Sequence, residues 1–296
     1  MRLRIHPRIC VLLILLAAFA LWLYRLGIAS LWYDETVSTF LAQQDLIALT
    51  RHTAGDIHPP LYYYLLHFWG RLAGWSEFSA AFLSLFFGVL LIALIYRVAR
   101  EWFTPAPSPV QRGRGEGVGV LAAFLVAISP YNLWYSQEVR MYTLGATLGL
   151  ASVYFFVRVL SQQSPRFTFY VSRDFIAYAV VSALGLYTLY YFAFLLVFEN
   201  LVALIWLVRN LQFTIASAKS TILNLKSEIG IWILSQLAIL LLYAPWVPSP
   251  SAKPPIHPCH RGARLRRCRT SCSNRSPRSR WDSRWIGRRC RQCRSC

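Results

Sequence analysis

The chain has 296 residues, 56% of them hydrophobic, 15% aromatic and only 15% charged, with a mean hydropathy of +0.42. That balance excludes an ordinary soluble enzyme and fits a polytopic membrane protein, because about 20 apolar helical residues cross a ~30 Å hydrocarbon core. The net charge of +19 looks like that of a nucleic-acid binder, but thirteen Arg and Lys253 fall within residues 251–296. The body of the chain keeps a modest positive excess, ordinary for basic cytoplasmic loops, and no nucleic-acid partner is expected.

Arg2, Arg4 and Arg8 precede the nearly unbroken apolar run Ile9–Leu26. A signal peptide is the competing reading, but no small-x-small cleavage site follows. The run is expected to be a first transmembrane helix with its N-terminus in the cytoplasm. Next come Trp32-Tyr33-Asp34-Glu35 in a mixed, polar stretch. Paired acids at a membrane boundary are either solvated or functional, and spacing alone leaves both readings open. Ser38–Ala48 is expected to form a short amphipathic helix with Phe40, Leu41 and Ile47 on one side.

Residues 59–73 are too short for a span and include His67 and Arg71. Their rings, among them Tyr62, Tyr63, Tyr64, Phe68 and Trp69, prefer the headgroup level, so a helix lying along the outer surface is expected. Further spans are expected at Phe78–Ile95, Val118–Leu133, Met141–Val157, Phe175–Tyr190, Ala193–Val208 and Ile229–Pro245. If 59–73 does not cross, Arg97, Arg100, Arg114, Arg158, Arg173, Arg209 and Lys226 all fall on the side of the N-terminus. The expected fold is therefore all-α: an integral membrane protein of about seven transmembrane helices with juxtamembrane helices on its outer surface. The Asp34–Glu35 loop and the turn Tyr135–Arg140 then share the outer face. Glu199 alone lies within a span, and one buried carboxylate there needs no more than a hydrogen bond to a neighbour.

From Ser249 the hydrophobic pattern stops. Residues 249–296 hold six of the seven Cys together with the Arg excess. Cys290 and Cys293 have zinc-ligand spacing, but no apolar core accompanies them. The expectation is one transmembrane unit over 1–248 and an Arg/Cys-rich, out-of-frame tail that cannot bury enough apolar surface to fold.

Trp32-Tyr33-Asp34-Glu35, then His58-Pro59-Pro60-Leu61-Tyr62-Tyr63, then Ser129-Pro130 with Tyr135-Ser136-Gln137-Glu138-Val139-Arg140-Met141-Tyr142 resemble the motifs of the dolichyl-phosphate-mannose–protein mannosyltransferase superfamily. Its bacterial relatives include the lipid A aminoarabinose transferases. The resemblance covers roughly residues 9–247. It implies a C-type glycosyltransferase of the bacterial inner or plasma membrane. Such an enzyme takes a sugar from a polyprenyl-phosphate carrier to a protein, lipid or glycan acceptor outside the cytoplasm.

By motif match Asp34 is the catalytic acid, with Glu35 beside it. A carboxylate is the right group, since the phosphate is already a good leaving group and the acceptor hydroxyl is what needs activation. The substrate-binding candidates are His58, Glu138, Arg140 and Tyr142, with Arg140 facing the phosphate. His58 is otherwise a helix-start residue before two prolines, and Glu138 is otherwise an ion-pair partner of Arg140. Some relatives have a metal-coordinating acid where His58 stands. No metal site is read from this chain, and a divalent cation is compatible with it. Two alternatives to the transferase stand: a polyprenyl-lipid or small-solute transporter, although neither internal repeats nor mid-span acid pairs are visible, and an inactive truncated fragment, since the family normally continues past Pro248.

Overall fold

Long apolar runs punctuated by Pro, Gly and short polar caps give a chain of helices. The computed structural model describes residues 6–104, 109–161, 169–215 and 220–247, all within one compact unit, Met1–Ala252. The expectations for 249–296 lie outside the described residues. The helices are α1 (Pro7–Leu23), α2 (Tyr33–Gln43), α3 (Leu46–Ala54), α4 (Leu61–Ala73), α5 (Glu77–Trp102), α6 (Pro109–Ala127), α7 (Pro130–Gln137), α8 (Tyr142–Ser161), α9 (Phe169–Thr188), α10 (Phe192–Ile215) and α11 (Ser220–Tyr243), followed by a 3-10 turn, Ala244–Trp246. No strand occurs among the described residues. By length and composition three segments can cross a bilayer: α5, Tyr142–Leu160 of α8 and Phe192–Arg209 of α10. Residues Arg114–Ala127 of α6 with α7 make a fourth if that bent pair counts as one span. Pro7–Leu23 and Gly230–Trp246 are apolar but shorter.

α5 is the central post. It packs against α1, α4, α6, α7 and α8, while α8, α9 and α11 form a second group beside it. Gly88 permits one of these approaches. A Cβ there would collide with the Ser136 side chain on α7 and press on Trp22 of α1. Gly27, with φ +75°, turns the chain out of α1, and a Cβ there would lie 2.7 Å from Phe78 N.

α4 has 13 residues, about 20 Å of helix, shorter than the ~30 Å hydrocarbon core. One face, Tyr62, Tyr63, Leu66, His67 and Gly70, is buried, while Phe68 and Leu72 are exposed. His67 Nδ1 lies 2.7 Å from the Ala42 carbonyl, and the Trp69 indole N–H donates to the Ser79 carbonyl at 2.8 Å. These bonds tie α4 to α2 and to the start of α5.

Two expected elements break. Val118–Leu133 is not one helix: α6 and α7 meet at 56°. Pro130 disfavours helical backbone at Ser129, whose hydroxyl instead accepts from Asn132 N as an N-cap. Ser38–Ala48 is likewise two helices, because the Asp45 carboxylate accepts from Ile47 N and Ala48 N and starts α3. Phe40 and Ile47 are exposed and Leu41 is buried, so they do not share a face. Glu199 is held by hydrogen bonds. It is fully buried and accepts from Ser152 on α8 and Tyr178 on α9, both at 2.9 Å.

Gly88→Ala is expected to lower stability by about 1–3 kcal/mol by overpacking the α1–α5–α7 contact. Thermal unfolding in detergent measures this, and an unchanged midpoint contradicts the close approach.

Candidate active site

α2 begins at the acids. Glu35, in the first helical turn, reaches back so that Oε2 accepts from Trp32 N at 3.1 Å, which satisfies an otherwise unpaired donor at the helix start. Its other oxygen, Oε1, accepts from Val139 N at 2.8 Å. Glu35 is 6% exposed, so one carboxylate joins the first motif to the third. Asp34, one residue earlier and so about 100° round the helix, points elsewhere. Its side chain is 41% exposed and lies 3.8 Å from Arg140 Nη2.

Several contacts fix the backbone that presents Arg140. Gln137 Nε2 donates to the carbonyls of Trp22 (3.0 Å) and Tyr24 (3.4 Å) at the end of α1. Ser84 Oγ on α5 donates to the Arg140 carbonyl at 3.1 Å and lies 3.1 Å from Tyr62 Oη on α4. Thr143 Oγ1 donates to the Ser84 carbonyl at 2.9 Å. The Arg140 side chain then meets three groups. Nη2 donates to Tyr142 Oη at 3.3 Å, lies 3.5 Å from His58 Nε2 and faces Asp34. The guanidinium carbon sits 5.5 Å from the centre of the Tyr142 ring. The Nε–H is buried and has no acceptor among the described residues, an uncommon state for a buried donor.

His58 Nδ1 faces Asp56 at 3.6 Å. Burial, and next the Arg140 charge, hold its pKa below the ordinary histidine value of 6.5, so the ring is neutral at pH 7. A proton assigned to Nδ1, toward Asp56, leaves Nε2 as an acceptor for Arg140. Glu138 makes no ion pair with Arg140 among the described residues. Its Oε1 accepts from the Trp134 indole N–H at 2.6 Å. Burial raises its pKa, and the indole bond opposes that rise. Trp32, Glu35, Glu77, Trp134, Glu138 and Tyr142 border a cleft of about 660 Å³, which adjoins the Arg140 cluster through Tyr142.

The structure thus gathers Asp34, His58, Arg140 and Tyr142 around one guanidinium, with Glu138 on the adjoining cleft. Glu35 is spent on backbone donors and serves as a tie. Sequence reasoning missed Asp56, Trp134, Ser84 and Thr143 as contributors. Asp56 sits two residues before His58, and Trp134 sits one helical turn before Glu138, so both had a local signal. Ser84 and Thr143 had none, because their partners are distant in sequence, while Gln137 stood inside the third motif without a role assigned to it. Among the described residues no three His, Cys, Asp or Glu side chains converge to hold a metal, and the residues here do not fit a cation held by protein ligands alone. What the cluster offers chemically is an accessible carboxylate beside a cation with a donor to spare.

A family model described as dolichyl-phosphate-mannose-protein mannosyltransferase matches residues 57–227, more than half of the chain. The matched stretch includes His58, Glu138, Arg140 and Tyr142, while Asp34 and Glu35 lie before it. No curated protein matches the chain.

Two outcomes follow for the acids and for His58. Glu35→Ala leaves buried donors unsatisfied and is expected to cost about 1–3 kcal/mol, whereas Asp34→Ala is expected to stay within about 0.5 kcal/mol. Thermal melts of the two variants separate tie from site, and equal losses contradict the assignment. Because folded His58 binds its proton less readily than the unfolded chain does, stability should fall as pH drops through 6.5. His58→Asn should flatten that part of the profile, measured as melting midpoint from pH 7.5 to 5.

Proposed function

The chain belongs to the dolichyl-phosphate-mannose-protein mannosyltransferase family, and from that premise we propose that it moves a sugar from a polyprenyl phosphate to an acceptor hydroxyl, with Asp34 as general base. Membership makes it a membrane glycosyltransferase of the mannosyltransferase type. The observation that carries the finer reading is the Asp34–Arg140 pair: an accessible carboxylate 3.8 Å from a guanidinium whose Nε–H is unused.

In this mechanism the donor phosphate lies against Arg140, whose charge and spare donor oppose the negative charge that grows as the bond to the sugar breaks. The acceptor hydroxyl gives its proton to Asp34. Its oxygen bonds to the sugar C1 from the face opposite the phosphate, the C1–O bond to phosphate breaks, and polyprenyl phosphate leaves with the electron pair. The anomeric centre inverts. Neutral His58 accepts from Arg140 and adds no second positive charge, and Tyr142 holds the guanidinium from its other side. The adjoining cleft, bordered by Glu138, lies beside the reacting centre and has room for substrate. Glu35 keeps Arg140 in register with Asp34.

We read the seven apolar helices α1, α5, α6, α8, α9, α10 and α11 as spans, with α4 on the outer surface and the active face outside the cytoplasm. The support is that Arg97, Arg100, Arg114, Arg158 and Arg209 then lie on the side of the N-terminus.

The transfer reading is tested with the chain in lipid nanodiscs, a labelled polyprenyl-phosphate sugar and a hydroxyl acceptor. Asp34→Asn should lower kcat by about 10²–10⁴ with donor KM nearly kept, while Arg140→Gln should raise donor KM. Near-normal turnover by Asp34→Asn refutes the base. For topology, Trp75→Cys and Phe103→Cys are introduced into a chain whose seven native Cys are Ser. An impermeant thiol reagent added outside should label position 75 and not 103, and the reverse pattern overturns the seven-span reading.

A further inference from the structure

Arg100 lies about 24 Å along α5 from Ser84, near the opposite membrane boundary from the Arg140 cluster. Trp102 and Phe103 are 41% and 57% exposed just beyond it, as aromatic side chains at the headgroup level are. Here Arg8 at the start of α1, Arg100, Glu101 and Thr104 at the end of α5, and Glu116 on α6 line a cleft of about 350 Å³.

The charges in this cleft are not equivalent. Glu101 is occupied: Oε1 lies 3.0 Å from Arg158 Nη1, and Oε2 accepts from Tyr154 Oη at 2.7 Å. Arg100 lays its guanidinium over the Tyr96 ring, 5.4 Å from the centre, which leaves its edge donors free. Arg8, Arg100 and Glu116 make no ion pair among the described residues. Arg8, Arg100 and Glu116 therefore line a common cleft with their charges unpaired among the described residues.

We propose that this cleft binds the headgroup of a zwitterionic phospholipid bearing a primary ammonium, with its phosphodiester on Arg8 and Arg100 and its ammonium on Glu116. Forked guanidinium donors suit phosphate oxygens. Basic pockets between helices on the cytoplasmic side of a bilayer are where headgroups dock. Glu116 supplies the selectivity. A quaternary ammonium has no N–H to give it, and a glycerol headgroup has no positive charge. The inference rests on the chain's being a membrane protein and is independent of the transfer reading above.

The test is native mass spectrometry of the full chain released from bilayers holding equal amounts of phosphatidylethanolamine, phosphatidylglycerol and phosphatidylcholine. The chain should retain phosphatidylethanolamine several-fold over the other two. Glu116→Gln should bring that preference to near parity while total bound phospholipid stays high. Arg100→Gln should lower total retention. Size-exclusion profiles confirm folding, and Arg8→Gln carries the phosphate arm if Arg100→Gln fails to fold. Equal retention of the three lipids by the unaltered chain, or a full preference surviving Glu116→Gln, overturns the proposal. Soluble phosphoethanolamine is the remaining arm, and its binding in place of any lipid adduct overturns the lipid assignment in favour of a free zwitterion.

Discussion

The Glu35 carboxylate is the interaction on which the site depends. One oxygen closes the first turn of α2 on Trp32 N, and the other takes the Val139 N–H at 2.8 Å from 104 residues away. Both bonds are made by a group almost withdrawn from water. In such surroundings a charge-assisted bond is strong, and a lost partner is costly. Because Val139 immediately precedes Arg140 and Glu35 immediately follows Asp34, the tie that fixes the two backbones also sets the distance between the Asp34 and Arg140 side chains.

α5 provides the frame around that tie. Its Ser84 holds the Arg140 carbonyl, and its Gly88 lets α7 and α1 close in. Gln137 then locks the end of α7 to the end of α1. Every element that presents a motif is thus bonded to a neighbour that presents another, and none depends on one long flexible loop. At the other end of the same helix, Tyr154 gathers Arg97, Arg158 and Glu101, so α5 is anchored at both ends.

The sequence was most legible where chemistry is local. The three motifs and the apolar runs marked out the candidate residues and the helical, membrane-suited class, and the family match places the chain among the mannosyltransferases. The division of labour between the adjacent acids was not legible, because both carboxylates have the same ordinary chemistry. Only their rotation about α2 turns Glu35 inward to Val139 and leaves Asp34 at Arg140. The Pro130 break and the Asp45 cap had clear local signals, but a purely apolar count passed over them. Ser84 looked like any small residue in a helix, since its role comes from a partner 56 positions away. The charge pattern implied seven spans, whereas length and composition single out three helices, or four with the bent pair. Both draw on one sequence, but loop charge measures orientation and helix length measures reach.

The central claim is that Glu35 holds Arg140 in place to receive the phosphate of a lipid-linked sugar. Titration of the chain in nanodiscs with a short-chain polyprenyl phosphate carrying no sugar, followed by the ³¹P resonance, isolates that claim from catalysis. The account predicts saturable binding that Asp34→Asn keeps and that both Arg140→Gln and Glu35→Ala weaken by about tenfold or more, equivalent to ~1.4 kcal/mol. Undiminished binding by Glu35→Ala and Arg140→Gln would contradict it.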